Sequence, residues 1–146
     1  VKLDAHRIQL DLPAGWEGRV WKRDHGEPVV HAANFALPES DGDFGVTAAQ
    51  TMPRAGVLVV LVEYEPAQAG TALFAANGPP RRLRGSDFSG KTLLHALPGQ
   101  AGLQRFFTTA NGRPFCLYVV IGSAADAPAL AEQATTILAG LTIASA

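Results

Sequence analysis

Residues 103–121 read Leu-Gln-Arg-Phe-Phe-Thr-Thr-Ala-Asn-Gly-Arg-Pro-Phe-Cys-Leu-Tyr-Val-Val-Ile. Leu103 to Thr109 and Pro114 to Ile121 are strand-like runs, and Ala110-Asn111-Gly112-Arg113 stands between them. Asn-Gly supplies the positive φ angles of a type I′ turn, so the stretch predicts an antiparallel hairpin. Upstream, Val57 to Tyr64 is apolar on both faces until its acidic end at Glu63 and Glu65, as expected of the strand at a sheet's centre. Downstream, Asp126 to Leu141 carries Leu130, Ala134, Ile137, Leu138 and Leu141 three and four residues apart. With Pro128 in the first turn and Gly140 near the stop, that spacing predicts a helix.

Nearer the start, Ile8, Leu10 and Leu12 alternate with Arg7, Gln9 and Asp11, and Pro13-Ala14-Gly15-Trp16 turns the chain into a second strand at Arg19 to Arg23. Pro28 to Phe35 reads as a third strand. The Pro-, Gly- and Asp-bearing loop Leu37 to Asp43 follows, and Ser40 or Asp43 is placed to cap a short helix around Gly45–Met52 that Pro53 stops. Pro66 to Gly102 is rich in Gly, Pro and Ala with weak periodicity. So long a stretch without regular structure is uncommon in a compact domain, which predicts at least one short strand and one helical turn inside it. The pattern as a whole describes a single α+β domain over residues 1–146. Its antiparallel sheet is packed between helices, an α/β/α sandwich, and the C-terminal helix closes the fold.

Composition narrows the function classes. The chain has 146 residues, 47% hydrophobic and 17% charged, enough to bury a core without disulfides or a structural metal. A net charge of -1 excludes the strongly basic footprint of a dedicated nucleic-acid binder. Cys116 is the single cysteine, no Cys/His pair has zinc-ligand spacing, and no apolar run approaches the ~20 residues of a bilayer span. The expectation is a soluble protein, cytoplasmic or extracytoplasmic with a leader removed, since the chain opens at Val1 without methionine. Neither compartment nor oligomeric state is set by the sequence. The near-neutral sum hides an imbalance: residues 1–73 carry -4 and residues 74–146 carry +3. Arg81, Arg82, Arg84, Lys91, Arg105 and Arg113 hold the positive charge, which reads either as a solvated face attracted to the acidic half or as a basic face that steers an anionic partner toward the surface.

Gly85-Ser86-Asp87-Phe88-Ser89-Gly90-Lys91-Thr92 satisfies the P-loop pattern G-x-x-x-x-G-K-[ST]. That chemistry needs an apolar strand feeding the loop and a helix leaving it. Pro79-Pro80-Arg81-Arg82-Leu83-Arg84 is no buried strand, and Leu93 to Leu97 meets Pro98-Gly99 after little more than one turn. Nucleotide hydrolysis is therefore set aside, leaving passive anion binding helped by the neighbouring arginines. Glu39-Ser40-Asp41-Gly42-Asp43 has clustered carboxylates but lacks the remaining ligands of a calcium loop. Among the four histidines, His31 with Glu63 is the best candidate pair, on strands that are expected neighbours, and a carboxylate beside the imidazole would raise its titration. No activated serine or cysteine nucleophile accompanies it. The aromatic residues, Trp16 and Trp21 among them, read as packing rather than a stacking platform.

Taken together, Ile8–Trp16, His31–Pro38, Asp41–Gly45, Gln104–Phe107 and Gly112–Tyr118 resemble a family of uncharacterised small proteins of actinobacterial type. More loosely, a strand ending in Pro13-Ala14-Gly15-Trp16, a late Gly-Arg hairpin and an Ala/Leu-rich closing helix resemble the fold of PsbP-type photosystem accessory proteins and a Ran-binding nuclear-import factor. The resemblance implies an antiparallel sheet between helices and the work of an adaptor or accessory protein, and it carries over no catalytic residue. Two functions follow as expectations. One is a noncatalytic binding or accessory domain that holds a protein partner or a small anionic ligand at the basic region, with no cofactor and no metal. The other is a small-molecule enzyme, which requires His31, Glu63 and Arg105 to converge in one pocket.

Overall fold

The computed structural model describes residues 1–95 and 97–145 of the chain. The first half forms β1 (Lys2–Ala5), β2 (Ile8–Asp11), β3 (Glu17–Lys22), β4 (Pro28–Ala33), a short helix α1 (Val46–Thr51) and β5 (Val57–Glu63). The second half forms β6 (Ala101–Thr108), β7 (Pro114–Ile121), helix α2 (Ala127–Ala139) and β8 (Leu141–Ile143). The class is the mixed α+β expected, with two antiparallel sheets and a C-terminal helix.

The larger sheet has the order β3-β4-β5-β7-β6. Its middle is β5, buried at every residue and paired with β4 and β7, as an uninterrupted apolar run requires. Strand alternation sends Val57, Val59 and Leu61 to one face with Phe115, Leu117, Val119 and Ile121 of β7, where they meet α2. The helix answers with a stripe, Ala127, Leu130, Ala131, Ala134, Ile137 and Leu138, spaced three and four apart. Leu58, Val60 and Val62 point to the other face with Tyr118 and Val120, and there pack Ala48 and Ala49 of α1 with Trp21, Phe35 and Phe44.

The chain's first strands differ from the sequence expectation. Ile8–Leu12 does not pair with Arg19–Arg23. Instead β2 lies between β1 and β8 in a separate three-stranded sheet whose Ile8 and Leu10 join the α2-side core. The β1–β2 hairpin turns on His6 and Arg7, whose φ angles of 52° and 63° are the paired positive values of a two-residue type I′ turn. Conversely, the expected type I′ turn at Asn111-Gly112 is a three-residue loop. Thr109 N–H donates to Arg113 O at 2.9 Å and Gly112 alone there has a positive φ, of 81°. Glycine at the left-handed position after a type I turn is the other common way to close a hairpin, and it suits the same two residues.

Two further details sharpen local readings. The N-cap of α1 is Gly45 rather than Ser40 or Asp43, and the first-turn donors are met from upstream by Asp41, whose carboxylate accepts from the backbone N–H of Gly42, Thr47 and Ala48 at 2.8, 3.0 and 2.8 Å. Leu141 leaves the helix, since Gly140 ends it and β8 begins at once. Among the described residues between β5 and β6 the chain makes four 3-10 turns, at Pro66–Gln68, Ala72–Phe74, Gly85–Asp87 and Gly90–Thr92. The short strand expected there is reduced to two isolated bridges onto β6, Asn77 with Thr108 and Ser89 with Gly102.

Candidate functional site

Residues 81–85 run along the outer side of α2 and form with it a cleft of about 600 Å³, lined by Arg81, Arg82, Arg84, Pro128, Glu132 and Thr135. Leu83 is the peg that holds this segment. It is buried, and its N–H donates to the Thr135 hydroxyl at 2.9 Å. Gly85 lets the next turn close on the helix, because a Cβ there would lie 2.8 Å from the Pro128 nitrogen. With Leu83 turned inward, Arg81, Arg82 and Arg84 are left exposed. Among the described residues no carboxylate lies within ion-pair distance of these three guanidinium groups. The cleft holds three cations against the one carboxylate of Glu132, a local field suited to anions.

The rest of the expected basic face is dispersed. Lys91 is exposed in the Gly90–Thr92 turn and is not part of the cleft wall. Arg105 stands on β6, 3.8 Å from Asp87, with its Nη1 donating to Gln104 O at 2.9 Å. Asp87 also accepts from Arg84 N–H at 2.9 Å, so its negative charge is held at the edge of the cleft. Arg113 departs entirely from the surface role expected of it. It is buried, with its guanidinium bonded to both oxygens of Glu63 at 2.6 and 3.0 Å. Its remaining N–H groups donate to the carbonyls of Arg7 and Ala144 at 3.2 and 2.9 Å and of His6 at 3.3 Å. Glu63 and Arg113 thus join the larger sheet to the His6-Arg7 turn and the end of the small sheet. A buried pair tied down on every side is structure, not a free binding group.

The groups a pocket enzyme requires do not converge. Glu63 lies opposite Phe115 and shares its face of the sheet, whereas His31, opposite Val60, belongs to the other face. Arg105 is exposed on β6 beside Asp87. His31 is buried, edge-on to Trp21 with ring centroids 4.7 Å apart, and its Nε2–H donates to Asp43 O at 2.7 Å. Burial pushes its titration below the ordinary imidazole value, outweighing the Asp43 carbonyl and the Asp41 charge that pull it up. The raised titration expected beside Glu63 is thereby corrected, because the carboxylate stands on the far side of the strand. Burial likewise pushes the Cys116 thiol up to about 11, against a weak bond from Gln104, which leaves it unreactive at neutral pH.

The P-loop match resolves into two 3-10 turns with irregular chain before them, without the strand or the helix that phosphate chemistry needs. Part of its exit, Ala96, lies outside the described residues. The acidic loop is also accounted for: Asp41 meets the first-turn donors of α1 and Asp43 pairs with Arg23 at 3.2 Å. Among the described residues no group of three His, Cys, Asp or Glu side chains is placed to hold a metal ion, and no helix is long and apolar enough to cross a membrane. The sequence reading missed the second wall of the cleft. Pro128, Glu132 and Thr135 recur at four and three residues on the polar side of α2, a signal present in the same periodicity that revealed its apolar stripe.

The chain matches no protein-family model, no curated protein and no solved structure.

Proposed function

We propose that this protein is a noncatalytic binding or accessory module that holds an anionic partner in the cleft between Arg81–Gly85 and α2. The observation that carries the proposal is the set of three exposed guanidinium groups that have no carboxylate within ion-pair distance among the described residues, beside a peg, Leu83, that is buried. Exposed Arg–carboxylate contacts contribute about 0.2–1 kcal/mol each, so the cleft gains useful affinity by engaging several charges of one partner. A layered arrangement of the PsbP type belongs to the same proposal. Support comes from α1 and α2 on opposite faces of the larger sheet, although α1 spans six residues and the small sheet shares the α2 side.

Titration calorimetry with hexaglutamate tests the binding role. Arg81, Arg82 and Arg84 replaced together by Ala are expected to weaken binding by on the order of 10-fold at low salt, with the difference vanishing near 1 M salt as the screening length falls to about 3 Å. Equal binding by the wild type and the triple variant would reject the cleft as the site.

A further inference from the structure

The small sheet leaves one edge that no strand among the described residues pairs with. Its bonding pattern fixes which atoms are free. Asp11 N–H donates to Gly140 O at 3.0 Å and Ala144 N–H donates to Arg7 O at 3.0 Å, with Gln9 opposite Thr142 between them. In an antiparallel ladder the bonded pairs alternate, so the N–H and C=O groups of Leu141 and Ile143 point away from β2. No backbone group among the described residues takes them up. The other three sheet edges carry charges: Lys2 and Asp4 on β1, Glu17, Arg19 and Lys22 on β3, and Arg105 on β6, which is also bridged by Asn77 and Ser89. Charged side chains and covering segments are how sheets discourage pairing with another chain. β8, Leu-Thr-Ile, has neither.

This edge lines a groove of about 640 Å³, between β8 and the C-terminal end of α2 on one side and Pro79, Pro80 and the hairpin tip at Asn111 on the other. Leu138, Leu141 and Ile143 present apolar surface to it. Arg81 lines both this groove and the arginine cleft, so the two adjoin at that residue beside α2. Backbone hydrogen-bonding groups, apolar side chains and then an excess of cations follow one another across the two adjoining surfaces. That order matches one kind of occupant.

We infer that β8 accepts an extended peptide of a partner protein as an added antiparallel strand, and that an acidic run following the paired residues lies on Arg81, Arg82 and Arg84. The inference rests on the anion-binding role proposed above and specifies its ligand. Backbone pairing supplies affinity for any extended chain, while the apolar groove and the arginines select alternating apolar residues and a trailing acidic run. Antiparallel addition sets the polarity, because β8 runs from the arginine end of the groove toward the hairpin tip.

The test uses the whole chain and a labelled, end-blocked octapeptide, Val-Thr-Val-Thr followed by four glutamates, read by fluorescence anisotropy. The same peptide N-methylated at its first four residues keeps the charge and loses the strand donors, and is expected to bind at least 10-fold more weakly. Ile143→Pro removes an outward N–H while leaving the β2 ladder bonds, and is expected to weaken the octapeptide but not tetraglutamate. Amide exchange at Leu141 and Ile143 is expected to slow on adding the octapeptide to the unaltered protein, a readout independent of whether the variant folds. Equal binding of methylated and unmethylated peptides, with both lost in the triple arginine variant, overturns strand addition and leaves the anion site standing. Binding of neither peptide nor tetraglutamate overturns both. Concentration-dependent dimerisation that excludes the octapeptide assigns the edge to a second copy of this chain and overturns the peptide.

Discussion

Arg113 and the run Arg81–Arg84 carry the same side chain to opposite ends. At Arg113 the fold surrounds the guanidinium with two carboxylate oxygens and three backbone carbonyls and closes over it. At Arg81, Arg82 and Arg84 it anchors the backbone through Leu83 and leaves the charges without a carboxylate in ion-pair distance among the described residues. A guanidinium inside must be satisfied because desolvating it is costly, and once satisfied it has nothing left to offer a ligand. One outside costs the fold little and keeps its donors. The difference separates a fastening from a binding surface without reference to sequence spacing.

The largest effect should come from breaking the fastening. Glu63→Ala strands a buried cation and is expected to destabilise the protein by about 3–5 kcal/mol, read by urea unfolding. A loss below one would show that water already reaches the pair. Next is Asp41, which satisfies three backbone donors: Asp41→Ala is expected to cost about 1–2 kcal/mol and to release α1 locally, seen as faster amide exchange at Thr47 and Ala48. His31 gives a pH signature. Unfolded, its imidazole takes up a proton near 6.5, while burial holds the folded group neutral to lower pH. The unfolded state therefore binds more protons in that window, and stability contributed by neutral His31 is lost as pH falls from 6.5 through the lowered folded value. The slope is up to about 1.4 kcal/mol per pH unit, and it should disappear from the difference curve of a His31→Gln variant. Smallest is the surface run: Arg81, Arg82 and Arg84 replaced by Ala should change stability by about 0.5 kcal/mol or less while abolishing most of the hexaglutamate binding. A large stability loss in that variant would merge the two kinds of arginine and undo the contrast.

Local patterns were legible where one stretch of chain meets its own requirements. The β6–β7 hairpin, the centrality of β5 and the stripe of α2 all follow from alternation and spacing within a few residues. The small sheet was not, because β8 joins β2 from the far end of the chain and its hairpin turns on His6 and Arg7, which carry no Gly, Asn or Asp signal. The arginine run was visible as composition. Its isolation from carboxylates was not, and neither was the withdrawal of Arg113 from the same charge class. His31 and Glu63 failed as a pair on register and parity together: His31 lies opposite Val60, three residues along β5 from Glu63, and the pleat turns the two to opposite sides.

Hydrophobic period and turn chemistry are properties of neighbours along the chain, so the sequence by itself determined the class of the protein, its principal hairpin and its closing helix. Which face a charged residue meets, and whether an acceptor waits there within 3 Å, depends on strands that are distant in sequence and packed by the whole core. That is why only the tertiary structure decided that Glu63 holds Arg113 inside, that β8 ends a sheet with its backbone unpaired, and that Arg81, Arg82 and Arg84 are left to face a partner.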